Sequence, residues 1–189
     1  MKIIKLVDCR KWKELSNIHL LALPNDVLTS FGIKTLQQFY KDIFFDHNQK
    51  ILGFNINNKL VGFIIISKKK TNINIPLRQL LPKLFYLLFF NFSKIYSGVI
   101  QLINRYPIPE NCLEISYFAV LPKFQGKGIG KALLKKVSSF FFSKKKYIIT
   151  KTNNKRLKNF YISEYKAQTL LSFFVLKKKY YLMKWKTKK

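Results

Sequence analysis

The chain has 189 residues, 48% apolar and 16% aromatic, so it can bury enough surface to offset its ordering entropy, and wholesale disorder is excluded. That length fits one domain over residues 1–189 better than two. The net charge is +28, but only Arg10, Arg78, Arg105 and Arg156 are Arg, the residue that base readout leans on, so nucleic acid is not the expected partner.

In chain order, residues 1–8 alternate as a strand does, with no apolar stretch long enough for a signal peptide. Cys9 and Cys112 are the only cysteines, which implies no disulfide framework and no Cys-based zinc site, so a cytoplasmic, metal-free protein is expected. Asp8 can cap a helix whose apolar positions Trp12, Leu15 and Ile18 or His19 recur until Pro24. A second helix is predicted over 34–45, where Ile33, Leu36, Phe39, Tyr40, Ile43 and Phe44 lie on one stripe after a break at Phe31-Gly32. Two β-rich runs, 51–56 and 59–67, flank Asn57-Asn58, a pair that tolerates the left-handed geometry of a tight hairpin.

Between 71 and 111, four prolines break up a predicted helical insertion. Its most apolar run, 84–90, is too short to cross a bilayer and reads as packing; a peripheral membrane contact or a homodimer contact stays open. A strand is predicted over 113–121. Leu113, Ile115 and Tyr117 alternate there with Glu114 and Ser116, and the alternation fails at Phe118-Ala119-Val120-Leu121, which places a bulge at that point. Such a bulge would splay the strand from its neighbour. Beyond Pro122, the positions Ile129, Leu133, Leu134, Val137, Phe140 and Phe141 follow a helical period to about Phe142. Then come a short strand over 147–150, a helix over 155–163, and a hairpin from Thr169 that turns near Lys177-Lys178-Lys179. The tally is a mixed α+β domain. Blocks such as Lys68-Lys69-Lys70 read as solvated turns, and Lys abounds together with Asn, Ile, Phe and Tyr, whose codons are rich in A and T; compositional bias thus accounts for much of the charge.

Between the central strand and the next helix runs Gln125-Gly126-Lys127-Gly128-Ile129-Gly130-Lys131. Glycines let backbone amides point into one concavity, and the helix end adds partial positive charge, so this turn suits a diphosphate held without a metal. Lys127 and Lys131 add full charges. The spacing is not the dinucleotide fingerprint, and the Gly-Lys-Ser/Thr ending of a triphosphate loop is missing.

Tyr117-Phe118-Ala119-Val120-Leu121-Pro122, then Gln125 through Lys131, then Asn154-x-x-Leu157-x-x-Phe160-Tyr161, resemble the GNAT superfamily of acyl-CoA-dependent N-acyltransferases. The amino-terminal stretch from His19 through Leu23-Pro24-Asn25 and Gly32 to Phe39-Tyr40 looks like one subgroup of it. The resemblance implies a mixed central sheet with splayed central strands, flanking helices and an insertion before the central strand. By it, the backbone of Phe118, Ala119 and Val120 receives the pantetheine arm of acetyl-CoA as an extra strand, the amides of Gln125 through Lys131 hold its pyrophosphate, and Asn154 touches a pantetheine amide. A neutral amine would attack the acetyl carbonyl directly, with Glu114 as base acting through water and Tyr161 as acid for the departing thiolate. His19 is left out of the catalytic set as a helix-end residue. The implied acceptor is a small metabolite or amino sugar amine; a protein amino terminus or lysine, and a non-catalytic basic module binding nucleic acid or membrane, are the alternatives. Members usually follow the Phe-Tyr pair with Gly-Phe at a helix end; here Ile162-Ser163-Glu164-Tyr165-Lys166 stands instead, which puts that helix end in question.

Overall fold

The computed structural model describes residues 2–68, 109, 111–140, 147–175 and 178–187, and the predicted insertion with its apolar run lies outside them. Seven strands form one sheet in the order β1-β2-β3-β4-β5-β7-β6. They are β1 (Lys2–Leu6), β2 (Gln49–Ile56), β3 (Lys59–Ser67), β4 (Cys112–Val120), β5 (Tyr147–Thr152), β6 (Gln168–Val175) and β7 (Lys178–Lys186). Every pairing is antiparallel except β4 with β5.

The helices α1 (Trp12–Ala22), α2 (Val27–Ser30) and α3 (Ile33–Phe45) cover one face; α4 (Ile129–Phe140) and α5 (Lys155–Tyr165) cover the other. Each buries the stripe its sequence offers. On α3, Leu36, Phe39, Tyr40 and Ile43 turn inward at helical spacing against Phe63 and Ile65 of β3. Leu133, Leu134 and Val137 of α4 do the same against Ile64 and Ile66 on the opposite face. β3 is therefore buried on both sides and reads as a continuous apolar run. Full burial of a side chain such as Phe63 stabilises the fold by about 2–3 kcal/mol.

Local chemistry sets the ends of these elements. Asp8 caps not α1 itself but the short turn Cys9–Lys11 that leads into it, accepting from the Arg10 N–H at 2.8 Å. Asn57 and Asn58 sit at φ 49° and 64°, both left-handed, as the tight turn between β2 and β3 requires. α5 ends with Lys166 at φ 55° and ψ 37°, so a lysine fills the left-handed cap where glycine is usual.

The bulge in β4 lies earlier than the sequence pattern implies. The register against β3 shifts between Ile65 and Ile66, which face Tyr117 and Ile115, so Ser116 is the extra residue and not one of the four that follow. Ile115 keeps company with α4 and α5, whereas Tyr117 packs among α1 and α3. Tyr117 therefore lies on the opposite face from Leu113 and Ile115, and its place in the alternation is an artefact of the bulge.

Candidate active site

A parallel pair that separates midway creates the site. β4 and β5 match only from Cys112↔Tyr147 to Ile115↔Thr150. Beyond that point β4 continues against β3 alone, and β5 against β7 alone. A gap opens between them, and its closed end is fixed by the buried Thr150 hydroxyl, which donates to the Ile115 carbonyl at 3.0 Å.

The Ser116 bulge decides which backbone groups face that gap. N–H and C=O groups alternate sides along a strand, and the Leu121 N–H is committed to Val61 of β3 at 2.9 Å. Counting back, Phe118 and Val120 turn their backbone groups away from β3, toward the gap. Val120 shows it directly, since its carbonyl accepts from the Gln125 side-chain amide at 2.9 Å on that side. Without the extra residue the phase would be reversed. Ala119, by the same alternation, faces β3, and its Cα partner there is Phe63.

Where β4 ends, the chain makes a short turn at Pro122–Phe124 and enters the glycine loop. Gly126 and Gly128 stand at φ +73° and +75°, and a Cβ built on either meets nothing within 4 Å, so both border open space. Gly130 has another purpose. A Cβ there would come within 2.9 Å of the Phe118 ring, so its absence lets the first turn of α4 press onto β4. The amides from Gly126 to Gly130, at the loop and the first turn of α4, have no partner among the described residues, whereas the Gln125 N–H is already used by Pro122 at 3.1 Å. Gln125 therefore braces the strand end, and the concavity of free amides begins at Gly126. Ile129 adds its amide while its side chain is buried in the core. Lys127 is exposed beside the Phe124 ring, and Lys131 pairs with Glu164 of α5 at 2.6 Å.

The two candidate catalytic groups stand on opposite faces of the sheet. Glu114 shares the α1–α3 side with Ser116 and is half-buried, opposite Ser67 in the register. Tyr161 belongs to the α4–α5 side, stacked on Trp185 with ring centroids 5.0 Å apart and planes 20° from parallel. Burial, and then Tyr165, push its phenol well above the usual value, so it keeps its proton at neutral pH. Trp185 Nε1 is the one fully buried polar side-chain atom without a partner among the described residues. Asn154 caps α5 through its side-chain oxygen, which accepts from the Leu157 N–H at 3.1 Å, leaving its NH₂ to donate outward.

Sequence reading missed a second polar cluster on the α1–α3 side. His19 is fully buried, with Nδ1 2.8 Å from the Tyr40 hydroxyl and Nε2 3.2 Å from Asp26 Oδ1. The carboxylate fixes the proton on Nε2, so Tyr40 donates to Nδ1; burial raises the Tyr40 phenol and keeps it a donor. Asp26 also caps α2. One imidazole thus ties α1, α2 and α3 together, and its ring lies 5.0 Å from that of Tyr117 on β4. Burial first, then the carboxylates of Asp26 and Glu114, raise the Tyr117 phenol as well. His19 is a lock between helices, neither a cap nor a surface residue. The only signal for it in the sequence is a histidine on the apolar stripe of α1.

Among the described residues no group of three or more His, Cys, Asp or Glu could hold a metal, and no helix is long and apolar enough to cross a membrane. The acetyltransferase (GNAT) family model matches residues 12–163. Among solved structures, the ribosomal-protein-S18-alanine N-acetyltransferase from Escherichia coli is similar with a TM-score of 0.65 at 12% identity, covering 100% of this chain and 96% of that one. The PaiA N-acetyltransferase from Thermoplasma acidophilum, in complex with coenzyme A, gives 0.64 at 13% identity over 98% and 99% of the two chains. Ard1 from Thermoplasma volcanium gives 0.63 at 13% over 100% and 99%. No curated protein matches.

Proposed function

The chain belongs to the acetyltransferase (GNAT) family and is an acetyl-CoA-dependent N-acetyltransferase, and from that premise we propose that it acetylates a primary amine of a small metabolite or amino sugar by direct attack. The observation that supports this donor site most is the coincidence of the β4–β5 gap with the open amides at Gly126 to Gly130. The diphosphate of the donor sits on those amides and the α4 amino terminus, with Lys127 nearby. Its pantetheine arm runs back along β4 as a substitute strand, meeting the gap-facing backbone of Phe118 and Val120, with the Asn154 NH₂ as a further donor.

The thioester then lies between the two faces, with Glu114 on one side and Tyr161 on the other. The amine nitrogen forms a bond to the carbonyl carbon as the C–S bond breaks. The amine proton passes through water to the Glu114 carboxylate, and the leaving thiolate takes the Tyr161 phenolic proton; exchange with solvent restores both. The basic surface favours an acceptor that carries negative charge elsewhere on its frame. A protein amino terminus is the second reading, because the similar Escherichia coli structure acts on an alanine of a ribosomal protein.

Calorimetric titration with acetyl-CoA, followed by an amine panel scored for CoA release, tests both parts. Binding with turnover on small amines is the expected result. Absence of binding would remove the donor site, and turnover on peptides alone would reverse the choice of acceptor.

A further inference from the structure

The closed end of the gap has its own chemistry. The glycine loop lies past the carboxyl end of β4, so a donor entering there runs back along the strand toward Ile115, which the bulge leaves only four β3 steps from Val120, about 13 Å along the sheet. What it meets last is Thr150. Thr150 is 4% exposed, and its hydroxyl bonds the Ile115 carbonyl, itself in a residue 3% exposed, so the two strands are cross-linked where they begin to part. Met183 lies opposite Thr150 on β7, and the fully buried Leu113 and Ile148 lie behind, so this end is buried and walled by apolar side chains. The acyl group is the leading end of the donor, so any added carbon is pushed toward this wall.

We propose that Thr150 sets the acyl-chain length that the donor can carry, the bond to Ile115 holding the wall at the depth of an acetyl group. The inference rests on the donor lying in the gap as proposed above. Thr150 is here a specificity residue and takes no part in proton transfer. An apolar wall discriminates one methylene by about 10- to 200-fold, the range expected between acetyl and propionyl thioesters.

The test measures dissociation constants of CoA, acetyl-CoA, propionyl-CoA and butyryl-CoA by calorimetry, for the wild type, Thr150→Ser and Thr150→Ala, each checked for folding by circular dichroism. The wild type should bind propionyl-CoA at least about tenfold more weakly than acetyl-CoA. Thr150→Ser keeps the bond to Ile115 and trims only the methyl, so it should narrow that ratio about threefold even if the alanine variant fails to fold. Thr150→Ala, when folded, should narrow it about tenfold. A wild type indifferent to chain length, or a folded serine variant with an unchanged ratio, overturns the proposal. If CoA does not bind at all, or binds equally well after Gly128→Glu, the placement of the donor fails instead, so the two failures are told apart.

Discussion

The hydroxyls of Ser116 and Ser67 lie 2.7 Å apart, joining the extra residue of β4 to the last residue of β3. This bond fixes the bulge in place, and the bulge turns Phe118 and Val120 toward the gap. Ser67 also approaches Gln49 of β2 at 3.5 Å, and Gln49 in turn donates to Asp46 at 2.7 Å, so the support runs across three elements. Replacing Ser116 by Ala removes one side of the pair and should lower stability by about 1 kcal/mol. Acetyl-CoA should bind about tenfold more weakly, a loss of similar size. Urea unfolding and calorimetry would show both; unchanged donor affinity would mean that the bulge holds itself.

Gly128 combines a positive φ with open space beyond it. Alanine there should cost about 1 kcal/mol in backbone strain and weaken CoA binding modestly. Glutamate places a carboxylate where the diphosphate is proposed to lie, and the affinity should fall at least about a hundredfold without unfolding the protein. Retention of full affinity by a folded Gly128→Glu protein would remove the diphosphate from this loop.

Tyr161→Phe keeps the stacking on Trp185 and deletes only the hydroxyl. With Tyr161 as the acid, kcat should drop about a hundredfold or more while KM for acetyl-CoA moves little. Steady-state rates on the best amine of the panel decide it: an undiminished kcat would leave Tyr161 as a packing residue.

Lys166 closes α5 in a left-handed conformation that glycine adopts without strain. Lys166→Gly should therefore stabilise the protein by about 0.5–1 kcal/mol, raising Tm by roughly 2–4 °C. A fall in Tm by scanning calorimetry would show instead that the lysine side chain contributes more than its backbone loses.

Tyr40, Tyr117 and Tyr161 all have phenols raised above the ordinary value of 10.0, with burial the largest cause in each. Their contribution to stability is complete below pH 10 and is lost as pH rises past that value toward the raised ones, because the unfolded chain releases its protons first. The urea midpoint should hold steady to about pH 9 and fall steeply by about pH 11, and less steeply in Tyr40→Phe. Equal slopes in the two proteins would mean that Tyr40 ionises freely when folded.

Much of the loop before α4 was legible because glycine has few substitutes. A turn with two left-handed positions and one close approach to an aromatic ring leaves its mark at Gly126, Gly128 and Gly130 whatever surrounds them. The hairpin at Asn57-Asn58 was legible for the same reason. The bulge was displaced by two or more residues, since Tyr is content on either face of a sheet and Tyr117 continued the alternation of Leu113 and Ile115 in appearance only. The resemblance puts Gln125 among the phosphate-holding amides; that its N–H turns back to Pro122 is a matter of three-dimensional turn geometry. The His19–Tyr40–Asp26 lock joins residues 21 and 7 positions apart, and no local period announces such a meeting. Thr150 gave no sign at all beyond ending a short strand.

The sheet is continuous in strand order but mended in the middle by only four residue pairs, from Cys112↔Tyr147 to Ile115↔Thr150. The β1–β4 half and the β5–β7–β6 half are therefore two panels on a short seam. A molecule lying in the slit would stitch the panels along their remaining length, so occupancy should stiffen the whole protein and slow amide exchange on both sides of the seam, far from any atom it touches.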